Sequence, residues 1–224
     1  MSIIEMNNIT KIYPLGNTTV PALRGITLSI PEGDFISIIG PSGSGKTTLL
    51  NIIGCIDRPS DGTIQVGGRE ITDLNDNELT DLRLYKIGFI FQTFNLIPVL
   101  NTLENVEFPI LLMKKHTKKE IAERATQLIE AVGLKDQINH KPAELSGGQR
   151  QRVAIARSLV TRPDIILADE PTANLDSETG ASILRLMKKM NEEEKTTFIF
   201  STHDPDVMKY AKHIIKIRDG IIAE

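Results

Sequence analysis

The segment Gly40-Pro-Ser-Gly-Ser-Gly-Lys46-Thr47 restricts the possible folds of this chain more than any other. Its spacing, G-x-x-x-x-G-K-[ST], makes chemical sense only where a buried strand feeds it and a helix leaves it. The glycines permit backbone torsions that turn successive N–H groups inward around anionic oxygens. The following helix adds the positive end of its dipole. Lys46 is long enough to reach the β- and γ-phosphates of a nucleotide, and the Thr47 hydroxyl suits Mg²⁺. A chance match in a chain of this length occurs on the order of once in a hundred. The surroundings agree, since Phe35 to Ile39 reads as a buried strand and a helix is expected to start near Lys46. Gly40, Pro41, Ser42, Gly43, Ser44, Gly45, Lys46, Thr47 and the adjoining Thr48 are therefore the first nucleotide-binding candidates.

Strands alternate with helices on either side of this loop. Ile3 to Ile9 and Ala22 to Ile30 show rough apolar alternation and read as half-exposed strands, with a turn expected across Pro14, Gly16 and Pro21. Further strands are expected at Ile64 to Val66, Ile87 to Phe91, Asp164 to Ala168, Thr196 to Ser201 and His213 to Ile217, and a helix from Ser177 to Met190. From about 93 to 160 the character is helical. Thr117 and Glu120 have capping-box spacing, and Ile121, Ala125, Leu128, Ile129 and Val132 share one face before a stop at Gly133. The pattern predicts an α/β core with a parallel sheet, interrupted by a mostly helical insertion.

Ile165-Ile-Leu-Ala-Asp169-Glu170 complements the phosphate loop. A strand ending in a carboxylate at the sheet's C-terminal edge places Asp169 where it can hold Mg²⁺ through water. Glu170, one residue on, suits a general base that polarises water for in-line attack on a γ-phosphate. A second phosphate-facing turn is expected at Ser146, where a serine and two glycines precede a helix with apolar Val153, Ala154, Ala156 and Leu159.

The whole string Leu145-Ser-Gly-Gly-Gln149 is the signature of the ATP-binding-cassette (ABC) family, which the chain resembles from end to end. The resemblance implies a single domain over 1–224. Its catalytic P-loop NTPase (RecA-like) core and small antiparallel β subdomain would fall in 1–92 and 161–224, and its inserted α-helical subdomain in 93–160. It implies that Tyr13 stacks on adenine, that Gln92 touches Mg²⁺ and the attacking water, and that His203 contacts the γ-phosphate. Asn174-Leu-Asp176 would cross a dimer interface. Two copies would pair head to tail, each ATP lying between the Lys46 loop of one and Ser146, Gly147, Gly148 and Gln149 of the other. Catalysis would then rest on Glu170, His203, Gln92 and Lys46, and metal binding on Thr47, Gln92 and Asp169, with ATP and Mg²⁺ as cofactors.

Asn51 to Pro59, Phe91 to Pro98 and Leu103 to Pro109 resemble the branch of lipoprotein-releasing, macrolide-efflux and antimicrobial-peptide-resistance ATPases, although Ala173 stands where that branch commonly has glycine. This implies an ATPase driving a permease on a separate chain, or alternatively a cell-division type that signals through a membrane partner without transport. Phe94, Leu96, Ile97, Val99 and Leu100 read either as a groove for a permease helix or as core of the helical part. No run of about 18 apolar residues is present, so no membrane span is expected. A net charge of −3 gives no overall footprint for nucleic acid. One cysteine cannot form an internal disulfide, and Cys55 is expected to be a small buried residue on a helix. The expected location is cytoplasmic, peripheral on the inner face of the membrane. The Lys114 to Lys119 tract reads as a solvated helix start, and His116, His140 and His213 as solvated surface.

Overall fold

The computed structural model describes residues 1–223. The chain opens with a long hairpin, β1 (Ser2–Leu15) and β2 (Thr18–Pro31), followed by β3 (Phe35–Ile39) and helix α1 (Lys46–Ile53). Strands β4 (Asp61–Val66) and β5 (Arg69–Glu70) precede α2 (Asp76–Lys86) and β6 (Ile87–Ile90). Three helices come next: α3 (Thr102–Leu112), α4 (Lys118–Ala131) and α5 (Gly147–Leu159). The chain closes with β7 (Ile165–Asp169), α6 (Ser177–Glu194), β8 (Thr197–Thr202), the short α7 (Pro205–Met208), β9 (His213–Arg218) and β10 (Ile221–Ala223). An antiparallel sheet has the order β2-β1-β4-β5, and a six-stranded sheet the order β10-β9-β3-β8-β7-β6. Within the second sheet β3, β6, β7, β8 and β9 run parallel, and β10 is antiparallel to β9.

The central strands of the parallel sheet are apolar on both faces, because helices or a second sheet cover each side. Their side chains divide by parity into two cores. Phe35, Ile166, Ala168, Phe198 and Phe200 pack with α3 to α6. Ile36, Ile38, Ile165, Leu167 and Ile199 pack with α1, α2 and the antiparallel sheet. This division fixes the site, since continuing the count carries Asp169 and Ser201 onto the α1 side. Helix α4 starts as its capping box requires, with Thr117 Oγ1 accepting from Glu120 N at 3.3 Å and Glu120 Oε2 accepting from Thr117 N at 2.7 Å. The lysines of that start are exposed.

Several expectations change. Pro14 and Pro21 lie inside strands, and the turn shrinks to Gly16 and Asn17 between the paired Leu15 and Thr18. Gly16 has φ 58, the positive torsion such a two-residue hairpin turn needs. Proline is tolerated there because β2 is a sheet edge and β4 stops pairing with β1 at Thr10, so no second neighbour needs the missing N–H. Helix α2, which no strong apolar stripe announces, starts from a capping box at Asn75 and Glu78. Cys55 is buried but lies beyond the end of α1 at φ 56, and burial pushes its thiol up to about 11. His213 is mostly exposed, yet its Nδ1 lies 2.5 Å from Oδ2 of Asp34, a carboxylate 1% exposed. Its ring is therefore tied down rather than merely solvated.

Candidate nucleotide site

A cleft of about 700 Å³ opens at the C-terminal ends of β3, β7 and β8. Its floor is the phosphate loop. The approach of neighbouring backbone explains the glycines there: a Cβ on Gly40 would stand 2.1 Å from the Ile217 carbonyl oxygen, and one on Gly45 2.7 Å from that of Ala22. Gly45 also starts α1 with no side-chain cap, so the first amides of that helix remain directed at the loop. Lys46 is buried, and its ammonium donates to the carbonyls of Gly40 and Pro41 at 2.8 and 3.0 Å. Pro41, Ser42, Gly43, Gly45, Lys46, Thr47 and Thr48 line the cleft, while Gly40 and the buried Ser44 do not.

Asp169 meets the loop because its strand parity directs it toward α1. Thr47 Oγ1 donates to Asp169 Oδ2 at 3.0 Å, and Ser201 Oγ donates to Asp169 Oδ1 at 2.5 Å. Glu170 follows at φ 45, a left-handed conformation uncommon outside glycine, and its N–H donates to Ser201 Oγ at 3.0 Å. His203 Nδ1 lies 3.0 Å from Glu170 Oε1. Gln92 and His203 both line the cleft with the two carboxylates. The backbone carbonyl of Gln92 accepts from Asn174 Nδ2 at 2.8 Å, tying the loop after β6 to the loop after β7.

The donors fit ATP with Mg²⁺. A hydroxyl and a carboxylate 3.0 Å apart beside an amide cradle form an all-oxygen set, of the kind Mg²⁺ shares with phosphate oxygens. Among the described residues no group of three or more His, Cys, Asp or Glu forms a cage for a metal held by protein alone.

Tyr13 sits outside the cleft lining, on β1. Its hydroxyl donates to Asp57 Oδ2 at 2.6 Å, and Lys11 donates to Asp57 Oδ1 at 2.5 Å while lying 4.9 Å from the Tyr13 ring centre. Burial and the contact with Asp57 push the Tyr13 phenol above its ordinary value. Burial alone would raise the Asp57 carboxyl, but the bonds from Lys11 and Tyr13 outweigh it and hold the group below the ordinary range.

The signature turn lies elsewhere: none of Leu145 to Gln149 lines the cleft. Ser146 is exposed and caps α5, its Oγ accepting from Gln149 N at 3.3 Å while Gln149 Oε1 accepts from Ser146 N at 2.9 Å. A Cβ on Gly148 would meet Thr179 Cγ2 of α6 at 2.5 Å, whereas one on Gly147 would find nothing closer than 3.5 Å. Gly148 is thus explained within the chain, and Gly147 is not. Asp176 likewise stays away from the phosphate loop. It caps α6 through the N–H of Thr179 at 3.0 Å, a bond that lowers its carboxyl below the ordinary value.

Residues not anticipated from the sequence complete the supports. Ser201 joins Asp169 to the Glu170 backbone; strand parity between Asp169 and the end of β8 was the available signal. Asp57 anchors Tyr13, with no local signal to announce it. Arg157 on α5 donates to the carbonyls of Phe94 and Asn95, both at 2.6 Å, and holds this left-handed pair in place. Burial lowers Arg157 to about 10. An apolar groove of about 300 Å³ is lined by Phe89, Phe91, Pro109 and Arg157. None of Phe94, Leu96, Ile97, Val99 and Leu100 lines it: Phe94 is buried, Leu96 packs on the helical core and Val99 is exposed.

Residues 23–173 match the family described as ABC transporter. The chain is 49% identical over 220 residues to an ABC transporter ATP-binding protein of Methanocaldococcus jannaschii, MJ0796, covering 97% of this chain and 94% of that one. It is 47% identical over 223 residues to the macrolide export ATP-binding/permease protein MacB of Syntrophobacter fumaroxidans, covering 99% of this chain but only 31% of that longer protein. In structure it resembles the dimeric, post-hydrolysis MJ0796 cassette bound to ADP and Pi, with a TM-score of 0.91, 47% identity, and coverage of 99% and 97%. Among the described residues no helix is long and apolar enough to cross a membrane. With that coverage and identity over a phosphate loop, a paired Asp169 and Glu170 and a complete signature turn, the chain belongs to the ABC transporter family, as an ATPase of its ATP-binding type.

Proposed function

We propose that two copies of this chain close on two ATP molecules and thereby drive an integral membrane permease carried on a separate chain, in the manner of a macrolide-efflux or lipoprotein-releasing motor. The observation that carries this reading is the separation of two phosphate-facing elements: the cleft contains Lys46 but no residue of the Ser146 turn. A second copy supplies the missing half. The dimeric state of the MJ0796 cassette supports the pairing, and the fusion of ATP-binding and permease parts in the MacB relative supports the membrane partner. The chain would work on the cytoplasmic side, and the groove at Phe89, Phe91 and Pro109 offers an apolar seat for a permease helix.

In the proposed reaction, Lys46 and the amides at the start of α1 bind the β- and γ-phosphates, and Tyr13 stacks on the base. Thr47, Asp169 and Gln92 would hold Mg²⁺, which neutralises charge on the phosphate oxygens when bound. Glu170 Oε1 is held by His203, which leaves Oε2 to accept the proton of a water attacking the γ-phosphorus in line. The bond from that phosphorus to the bridging oxygen breaks, and ADP leaves. Loss of the γ-phosphate removes contacts to Ser146, Gly147, Gly148 and Gln149 of the partner copy, and the dimer opens.

Glu170→Gln keeps the side-chain shape without the base. Turnover is expected to fall roughly 10²- to 10⁴-fold, with ATP still bound. Size-exclusion chromatography in ATP should then give a stable dimer; a monomer alone would sink the sandwich arrangement.

A further inference from the structure

We propose that Ser201 is a positioning residue for hydrolysis, one hydroxyl that sets both carboxylates of the Asp169–Glu170 pair. The proposal rests on the roles given to that pair above. Asp169 and Ser201 are direct neighbours in the register of parallel β7 and β8. They share a face, because Leu167 and Ile199, two residues before each, both point into the core on the α1 side. Ser201 is fully buried, and its hydroxyl has both its roles assigned. Its proton goes to Asp169 Oδ1 at 2.5 Å, and its oxygen accepts the Glu170 N–H at 3.0 Å.

Each contact settles something the strand alone leaves open. A carboxylate at the end of a strand can rotate, and Asp169 is fixed because Ser201 holds Oδ1 while Thr47 holds Oδ2. Glu170 stands at φ 45, a torsion that persists in a non-glycine residue only where surroundings hold it. The Ser201 oxygen holds its backbone there. Two residues further along the same chain, His203 holds its Oε1 at 3.0 Å. The Ser201 to His203 segment therefore grips Glu170 at backbone and carboxylate, and Ser201 alone also grips the metal-side carboxylate. An alanine would leave both carboxylates present but loosely aimed, a kind of misplacement that catalysis feels strongly and binding feels little.

The test compares Ser201→Ala and Ser201→Thr in steady-state ATPase assays of the full chain, titrating ATP and Mg²⁺ separately and recording Tm. Ser201→Ala is expected to lower kcat about 10- to 100-fold and to change KM for ATP by less than about threefold. The Mg²⁺ concentration for half-maximal rate should rise several-fold, since Asp169 loses one of its two anchors. Ser201→Thr, which keeps the hydroxyl, should recover most of kcat and restore the Mg²⁺ dependence. A Ser201→Ala kcat within about twofold of wild type overturns the proposal. So does a loss that Ser201→Thr fails to recover at unchanged Tm. If the threonine methyl lowers Tm, Ser201→Cys replaces it; its weaker donor should give an intermediate kcat, and a kcat no better than that of Ser201→Ala overturns the proposal. Glu170→Gln, run alongside, separates the two readings. A dead Glu170→Gln beside a normal Ser201→Ala removes Ser201 alone, whereas an active Glu170→Gln removes the general base itself.

Discussion

The phosphate loop and the signature turn each present amides at the start of a helix, and they are built to opposite plans. The loop is enclosed: Lys46 is buried, Gly40 and Gly45 lie hard against the backbones of Ile217 and Ala22, and strands β7 and β8 deliver Asp169, Glu170 and Ser201 to it. The turn is open: Ser146 is exposed and bonds to Gln149 of its own helix, and among the described residues Gly147 has no packing reason to be glycine. One element is finished by its own chain, and the other is left open for the neighbour that the proposed pairing supplies. If two copies pair as proposed, ATP binding should register as association, since the two halves would then face each other across the copies.

Breaking the loop should act on binding, and breaking the turn should act on pairing. Lys46→Ala removes the lysine that lines the cradle and should lower ATP affinity about 10- to 100-fold, the worth of a charge-assisted hydrogen bond. A fluorescent ATP analogue checks this, and unchanged binding would defeat the assignment of the loop.

The two signature glycines sharpen the contrast further. Gly147→Ala meets nothing within 3.5 Å in its own chain, so Tm should hold or rise slightly, as alanine favours a helix. In the proposed pairing its methyl would face the partner's ATP, and dimerisation of a Glu170→Gln background in ATP should weaken on the order of tenfold. Gly148→Ala instead collides with Thr179 of α6 and should lower stability by about 1–3 kcal/mol. Analytical ultracentrifugation with thermal melts separates them; equal effects on dimer and Tm from both variants would mean that Gly147 has no role between copies.

The same contrast explains what was legible in the sequence. Phosphate chemistry needs particular residues at fixed spacing, so Gly40 to Thr47 stand out by themselves, Asp169 and Glu170 stand out once that loop is in view, and Leu145 to Gln149 through resemblance to the family signature. The buried strands were legible because a sheet covered on both faces must be apolar throughout. Ser201 was not, since its value lies in standing beside Asp169 on the next strand, 32 residues away. The turn expected across Pro14 and Pro21 gives way to strand because a proline is excluded only where a neighbouring strand needs its N–H, and here the edge of the sheet removes that need. Helix α2 is hard to read because capping at Asn75 and two buried leucines, Leu79 and Leu82, rather than a broad apolar stripe, define it. The apolar run after β6 contains Phe94 and Val99, while the groove is formed by Phe89, Phe91 and Pro109, which only the packing of α3 on α5, and of α5 on β6, brings together.

Asp57 gives the smallest expected effect and probes the loop's enclosure from outside. It ties β1 to the segment after α1 by accepting from Lys11 and Tyr13. Its carboxyl is partly buried, which opposes charge, but those two donors outweigh the burial and lower its pKa in the folded chain. A depressed folded pKa contributes stability above the unfolded carboxylate value, and that contribution is lost as pH falls through the folded one. Asp57→Asn should therefore cost about 1 kcal/mol at neutral pH. The gap between variant and wild type should close below about pH 4, the ordinary carboxylate range. Denaturant melts at pH 7 and below pH 4 measure both. A gap that stays constant across that range would show that the Asp57 charge contributes nothing, and that Tyr13 is placed by packing of β1 alone.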